Sequence, residues 1–354
     1  MAETPQNSSA RSGGCGDLPA APLISIVVPV YDCASFLEQC LQSLIAQSER
    51  HIEILLIDDG STDGSGAICD HYAAQDSRMR VTHKANGGVS SARNLALELA
   101  TGAYVVFVDA DDYVAPAFVQ RMGDRMVDHD VVVCAYNRVR ADSAQPFVLC
   151  GSGALALDAL YEHTLCTLLI GGGCCNKAFR MDTIRKHALR FDTRIAVGED
   201  LLFLVQYYQH CRTAYYIGDT LYHYRYNEVS ATESAFAQKK VHQGSASILM
   251  ALDEMEHHID RTVPFQVAFL GYRKVRSSLR LFFQMVLSRT WNTQWLVAIK
   301  RNIRQSFGVF VSSTHARWLE RAAAGGIFFS VRLAYAGAVL MSMLLGNRMA
   351  RLRN

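Results

Sequence analysis

The chain has 354 residues, 50% of them hydrophobic and 19% charged, with 24 Gly and only 7 Pro, which excludes collagen-like, low-complexity and wholly disordered chains. Its net charge of +2 hides a polarised distribution. From Gly271 onward 14 Lys and Arg stand against one acid, Glu320, so that stretch carries +13 and residues 1–270 carry −11.

Residues 1–22 have no apolar run of signal-peptide type and read as a disordered lead-in. Ile24-Ser25-Ile26-Val27-Val28-Pro29-Val30 is a β-branched run without a polar face, the pattern of a strand covered on both sides. Phe36, Leu37, Cys40, Leu41, Leu44 and Ile45 then repeat at helical spacing. Ile52–Ile57 is a second strand, closed by Asp58-Asp59-Gly60-Ser61-Thr62-Asp63, with Thr62 or Asp63 as N-cap of a helix to about Ala74. Met79–His83 is a third strand and Val89–Ala100 a third helix. Tyr104–Val108 is a fourth strand, ending in Asp109-Ala110-Asp111-Asp112. Four such repeats predict an α/β fold with a mostly parallel sheet and right-handed crossovers. Ligands of such sheets bind outside the carboxyl ends of the strands, where these acidic clusters fall.

Beyond Tyr136 the pattern is less regular. It predicts short strands near Val131–Ala135 and Phe147–Leu149, helices around Leu155–Leu169 and Glu199–Gln209, and a strand pair at Thr213–Ile217 and Leu221–Arg225. From about Val241 the chain reads as helical. Val275, Leu279, Phe282 and Val286 share one helix face, Arg273, Arg276 and Arg280 another, and Trp295, Ile299 and Ile303 continue an apolar stripe beside Lys300, Arg301 and Arg304. Basic amphipathic helices of this kind suit an anionic membrane surface. Ala322–Leu345 carries one charge, Arg332, and is followed by Arg348, Arg351 and Arg353. A charge near its middle favours an interfacial or partly inserted anchor over a full span. A packed cap or an oligomer interface is the alternative. The expected division is 1–22 lead, 23–235 catalytic domain, 236–320 helical region and 321–354 membrane-associating tail.

The 10 cysteines are scattered and form no CxxC, which argues against a disulfide framework or a zinc site. Cys40, Cys69 and Cys134 read as small hydrophobes, and reduced thiols are expected throughout. The chemistry concentrates elsewhere. Asp109-x-Asp111-Asp112 places three carboxylates within four residues, which repel unless a cation neutralises them, and hard oxygen ligands suit Mg²⁺ or Mn²⁺. In Asn86-Gly87-Gly88 two glycines open a helix whose amides suit an anion, with Arg93 one turn inside. Gly198-Glu199-Asp200 starts an apolar helix with paired carboxylates, candidates for a general base.

Taken in order and spacing, Val28-Pro29-Val30-Tyr31, Asp58–Asp63, Asn86-Gly87-Gly88, Ala92-Arg93-Asn94, Asp109-x-Asp111-Asp112 and Gly198-Glu199-Asp200 resemble glycosyltransferase family 2, over about Leu23 to Thr232. Asn176-Lys177-x-Phe179-Arg180 and Tyr222-His223-Tyr224-Arg225-x-Asn227-x-x-Ser230 resemble segments of its bacterial branch that builds capsular, exopolysaccharide or other cell-envelope glycans. The resemblance implies a GT-A catalytic domain followed by a helical region. It implies an inverting, metal-dependent transfer from a UDP-sugar to a glycan or lipid-linked glycan acceptor at the cytoplasmic face of the membrane. By position, Asp59 would recognise the uracil ring, with Pro29 and Tyr31 beside it. Asn86, Gly87, Arg93, Asp109 and Ala110 would contact the sugar nucleotide. Asp111 would bind the metal and Asp200 act as base with Glu199 beside it, while Lys177 and Arg225 would lie toward the acceptor. Asp32 stands where the family commonly has Asn, and Cys175 where an aromatic residue is frequent.

Rival readings fare less well. A Rossmann dehydrogenase needs GxGxxG at the first turn, where Tyr31-Asp32-Cys33-Ala34-Ser35 stands instead. A nucleotidyltransferase needs a basic glycine-rich loop at the same place. A catalytically dead scaffold would not need carboxylates at all four sites, and the basic tail contains no nucleic-acid-binding motif.

Overall fold

The computed structural model describes residues 23–140, 143–226, 243–336 and 338. Ile24–Val30 (β1) lies between Ile52–Asp58 (β2) and Tyr104–Phe107 (β4), parallel to both, and Met79–His83 (β3) extends the parallel set beyond β2. All seven side chains of β2 and all four of β4 are buried, which is why these strands show no polar alternation. Ala34–Ile45 (α1), Ser65–Ala73 (α2) and Val89–Leu99 (α3) make the crossovers.

On the other side of β4 the sheet changes character. Lys177–Arg180 (β9) pairs antiparallel with both β4 and Val131–Arg140 (β6), inserting a late, four-residue strand into the middle of the sheet. Ala214–Arg225 (β10) runs parallel to β6, and Tyr113–Val114 (β5) closes that edge. Ser143–Phe147 (β7) pairs with β6 and Gly153–Leu155 (β8) with β10, so the strand order is β3-β2-β1-β4-β9-β6-β10-β5 with two side branches. Phe118–Met126 (α4), Leu157–Glu162 (α5), Met181–Lys186 (α6) and Glu199–Tyr208 (α7) complete this part.

Several expectations are corrected here. The strand pair expected at 213–225 is one strand, because the Gly218-Asp219 step is absorbed as a register shift against β6 rather than a reversal. The helix expected to Leu169 loosens into a π-turn at His163–Thr167 and stops where Leu168 turns left-handed, φ 57°. The cap of α2 is Gly64 in the left-handed region, and Asp63 instead accepts hydrogen bonds from the Ser65 and Ala34 amides at 3.0 and 2.9 Å.

A polar knot holds the amino ends of β1 and β2. Glu53 Oε1 accepts from Ser25 Oγ (2.6 Å), Thr101 N (2.6 Å), Thr101 Oγ1 (2.8 Å) and Gly102 N (3.2 Å). Burial alone would push Glu53 up, but these four donors outweigh it and hold its carboxyl below the usual range.

Among the described residues, Gln243–His258 (α8), Pro264–Leu287 (α9), Thr293–Ser312 (α10) and Trp318–Phe329 (α11) follow. The Asn292 side chain caps α10 by accepting from Trp295 N at 3.0 Å. Val275, Leu279, Phe282, Val286, Ile299 and Ile303 are buried in the core of this region, so the apolar faces expected to meet a membrane are spent on helix packing instead. Lys274 is buried as well, paired with Glu256 at 2.6 Å. What stays open are apolar residues on α11 and after it. Trp318 (74% exposed) and Leu319 (61%) open the helix, Phe329 (79%) ends it, and Leu333 (75%) follows the break at Ser330. Arg317, Arg321 and Arg332 are exposed beside them. Among the described residues no helix is long and apolar enough to cross a membrane. Half of the tail at 321–354, and the lead at 1–22, lie outside the described residues.

Candidate functional site

The carboxyl ends of β1, β2 and β4 converge on one crevice. Pro29 is half-buried at the end of β1, and Tyr31 beyond it is exposed. Asp32 takes φ 42°, a left-handed conformation that Asn and Asp tolerate best among residues other than glycine. Its Oδ1 accepts from Thr62 N at 2.7 Å, which ties the β1 loop to the β2 loop. Asp59 is buried and heavily engaged. Its Oδ1 accepts from Gly87 N (3.0 Å) and from Lys84 Nζ, and its Oδ2 from Gly88 N (2.7 Å). Gly88 takes φ 83°, so both amides face one carboxylate at the start of α3. Asn86 and Gly87 are exposed on the same rim. The anion-binding amides expected of Gly87-Gly88 are thus occupied by the protein's own Asp59, with Lys84 as a partner the sequence reading missed.

The four residues after β4 divide into two roles. Asp112 is buried: its Oδ2 accepts from Tyr222 Oη (2.6 Å) and its Oδ1 from Arg225 N (2.7 Å). Tyr222 Oη also accepts from Asp109 N at 3.2 Å, so Asp112 fastens β10 to this turn. Asp109 and Asp111 are partly exposed, with Ala110 buried between them. Burial and the neighbouring Asp109 push Asp111 up to about 6, offset in part by Arg225. Two close oxygen-donor side chains, one of them disfavoured as an anion by its surroundings, suit a divalent cation, so the residues present fit Mg²⁺ or Mn²⁺. Among the described residues no set of three His, Cys, Asp or Glu side chains is preassembled around such an ion.

Arg93 joins the two halves of the site. It is 3% exposed and lies over the Phe191 ring at 5.2 Å. Its Nη2 donates to Asp109 Oδ1 (3.0 Å), and its Nη1 to Asp200 Oδ1 (2.6 Å) and, more distantly, to Glu199 Oε1 (3.5 Å). Arg93, expected to contact the sugar nucleotide, here bridges three carboxylates. Burial raises Glu199 and Asp200 above the usual range, even though Arg93 pulls both back. Gly198, φ 96°, starts α7, and a Cβ there would fall 2.6 Å from Ile248 Cδ1 and 3.1 Å from Ala251 Cβ of α8. The helical region therefore presses directly behind the paired carboxylates.

Of the two expected acceptor contacts, Lys177 is corrected. Lys177 is fully buried, and its Nζ donates to the carbonyls of Ile170 (2.9 Å), Gly171 (3.1 Å) and Gly173 (2.8 Å) and to Asn176 Oδ1 (2.9 Å). Its charge shapes the 170–173 loop and is closed to a substrate. Arg225 bonds to Gln39 and stacks over Phe36 (5.0 Å) and Tyr113 (5.6 Å), which places it on the Asp111 side of the crevice. Cys174 and Cys175, read from sequence only as reduced thiols, contact Asp200 and Asp109. Their adjacency just before Asn176-Lys177 was the signal available.

Comparison with known proteins agrees with this geometry. A family model described as Glycosyl transferase family 2 matches residues 25–187. The chain is 36% identical over 258 residues to the uncharacterized glycosyltransferase EpsJ of Bacillus subtilis, covering 71% of this chain and 70% of that protein. It is 31% identical over 224 residues to the glycosyltransferase GlyG of Streptococcus pneumoniae, covering 60% and 74%. Its fold is similar to the crystal structure of S. aureus TarS 1-349 in complex with UDP-GlcNAc, with a TM-score of 0.69 at 18% identity and 91% of each chain covered.

Proposed function

The chain belongs to glycosyl transferase family 2 and is a glycosyltransferase of GT-A type, and from that premise we propose that it moves a sugar from a UDP-sugar, with inversion, onto a glycan or lipid-linked glycan of the cell envelope. The observation that carries this reading is the Arg93 bridge. It holds Asp109, on the strand-end side where a nucleotide diphosphate binds in such sheets, against Asp200 at the start of α7.

Asp59 and Tyr31 line the rim assigned to the uracil ring, and Asp109 and Ala110 the ribose and diphosphate region. Mg²⁺ or Mn²⁺ held by Asp111 would supply charge neutralisation to the departing diphosphate. Asp200 Oδ1 is held by Arg93, whereas Oδ2 faces Gly173, where an added Cβ would come within 3.3 Å. That oxygen is the one we assign to the acceptor hydroxyl. A carboxylate lifted above its ordinary proton affinity is a stronger base, and Arg93 keeps it oriented. Attack by the hydroxyl on the face opposite the diphosphate inverts the anomeric centre without a covalent sugar intermediate. The exposed apolar residues Trp318, Leu319, Phe329 and Leu333, with exposed arginines near them in sequence, support attachment to an anionic leaflet at the cytoplasmic face, where a lipid-linked acceptor would be presented.

The test is a panel of UDP-sugars with the purified chain, each incubated with Mn²⁺, Mg²⁺ or a chelator. Release of UDP from one donor, lost on chelation, is expected. Tight UDP binding with no turnover of any donor would instead favour a non-catalytic nucleotide-binding role.

A further inference from the structure

The two thiols at Cys174 and Cys175 are both buried and both point at carboxylates of the site. Cys175 Sγ donates to Asp109 Oδ2 at 3.0 Å, and Cys174 Sγ to Asp200 Oδ1 at 3.5 Å. Arg93 bridges the same two carboxylates, at 3.0 and 2.6 Å. The sulfurs also lie within interaction range of each other. Asp109, Arg93, Asp200, Cys174 and Cys175 thus close a ring in which four of the five links end on one of the two carboxylates and the fifth joins the thiols.

The surroundings fix this ring. Lys177 N donates to the Cys174 carbonyl at 3.2 Å, while Asn176 Nδ2 donates to the carbonyls of Cys134 (2.7 Å) and Ile170 (3.1 Å). With Lys177 Nζ gripping the 170–173 loop, the backbone carrying the thiols has little freedom. Arg93 is held by Phe191, whose main chain is pinned in turn by the Asn94 side chain at 2.8 and 2.9 Å. Burial raises the Cys174 thiol, and the neighbouring thiol together with burial raises Cys175, so both keep the protons they donate.

We propose that Cys174 and Cys175 are positioning residues, one thiol for each carboxylate, which together with Arg93 set the separation of the donor-side Asp109 and the base Asp200. The proposal rests on the roles assigned above to those two aspartates. It differs from a core-filling role in a measurable way. A buried cysteine that only fills space is replaced better by Ala than by Ser, because a hydroxyl in an apolar site is costly. A cysteine that donates to a carboxylate is replaced better by Ser.

Four variants of the full chain separate the cases: Cys174→Ala, Cys174→Ser, Cys175→Ala and Cys175→Ser. Cys174→Ala should lower kcat about tenfold with donor KM nearly unchanged, and Cys175→Ala should raise donor KM about tenfold with a smaller effect on kcat. Each serine variant should recover most of what its alanine counterpart loses. Serine variants that perform worse than the alanine ones, or alanine variants with wild-type parameters, would overturn the proposal. A second readout does not depend on transfer. The infrared S–H stretch of Cys175 should shift in Asp109→Asn and that of Cys174 in Asp200→Asn, and thiol bands insensitive to both changes would also overturn it. If the wild-type chain turned over no donor while the thiol bands shifted as expected, the functional reading would fail and the hydrogen-bond ring would stand.

Discussion

Glu53, buried, and Asp200, half-buried, are carboxylates of one domain, yet their surroundings treat them in opposite ways. At the amino ends of the strands Glu53 Oε1 receives four donors and the carboxyl is held below its usual range. At the opposite end Asp109, Asp111, Glu199 and Asp200 share Arg93, Arg225 and two weak thiol donors, and three of the four are raised. A carboxylate with its acceptor capacity filled is a fastener. One left short of donors, in a place a substrate can reach, retains proton affinity and metal affinity for chemistry. The four acids of the site also stay partly exposed where Glu53 is buried, and Asp112, raised by burial although Tyr222 and Arg225 bond to it, shows that proton affinity alone does not sort the two roles.

The contrast can be tested from both ends. The largest effect is expected for Asp200→Asn, which should lower kcat about 10²–10⁴-fold while leaving UDP affinity by calorimetry largely intact. A collapse of UDP affinity would move Asp200 out of the base role. Asp111→Asn should cost about 10²-fold or more in transfer and weaken UDP binding only when Mn²⁺ or Mg²⁺ is present. Activity above about a tenth of wild type would count against the metal-holding role, given losses of that scale. Glu53→Ala should do the reverse. Orphaning the Ser25, Thr101 and Gly102 donors should remove roughly 1–3 kcal/mol of stability in urea unfolding, with kcat per folded molecule unchanged.

The two ends should also answer pH with opposite signs. Glu53, lowered from 4.5, contributes stability that is present above about 4.5 and is lost as pH falls. Glu199 is raised to about 7 by burial first and by Asp200 second. Its contribution is present below about 4.5 and is lost as pH climbs through about 7. Thermal unfolding of Glu199→Gln followed from pH 5 to pH 8 should therefore show a shallower alkaline decline than wild type, and identical slopes would remove Glu199 from the strained set. The smallest effect belongs to the far end of the molecule. Phe329→Glu should reduce co-flotation with anionic vesicles without changing UDP binding, and unaltered flotation would exclude α11 as the contact face.

Much of the first half was legible from the chain. Strand β1 falls where its β-branched run begins and ends, because a parallel strand buried on both faces has to be written in apolar residues. The four-residue β9 was not legible. Lys-Ala-Phe-Arg has no strand pattern of its own, and only the gap between β4 and β6 makes it one. The carboxylates of the site were read from their crowding at strand ends. Their partners were harder to see: Arg93 reaches Asp200 across 107 positions, and Tyr222 reaches Asp112 across 110. Lys177 read as an acceptor contact through the resemblance of its segment to the family, and here four acceptors drawn from its own loop make its burial tolerable.

The close approach of Ile248 to Gly198 has a consequence for biosynthesis. A nascent chain released from the ribosome only as far as Arg225 already holds Asp59, Arg93, Asp109 and Asp111, but nothing yet presses on the turn before Glu199. Under the roles proposed above, the packing behind the assigned base is in place only when α8 has been made. Translation order then separates the residues assigned to the donor from the support behind the residue assigned to the acceptor.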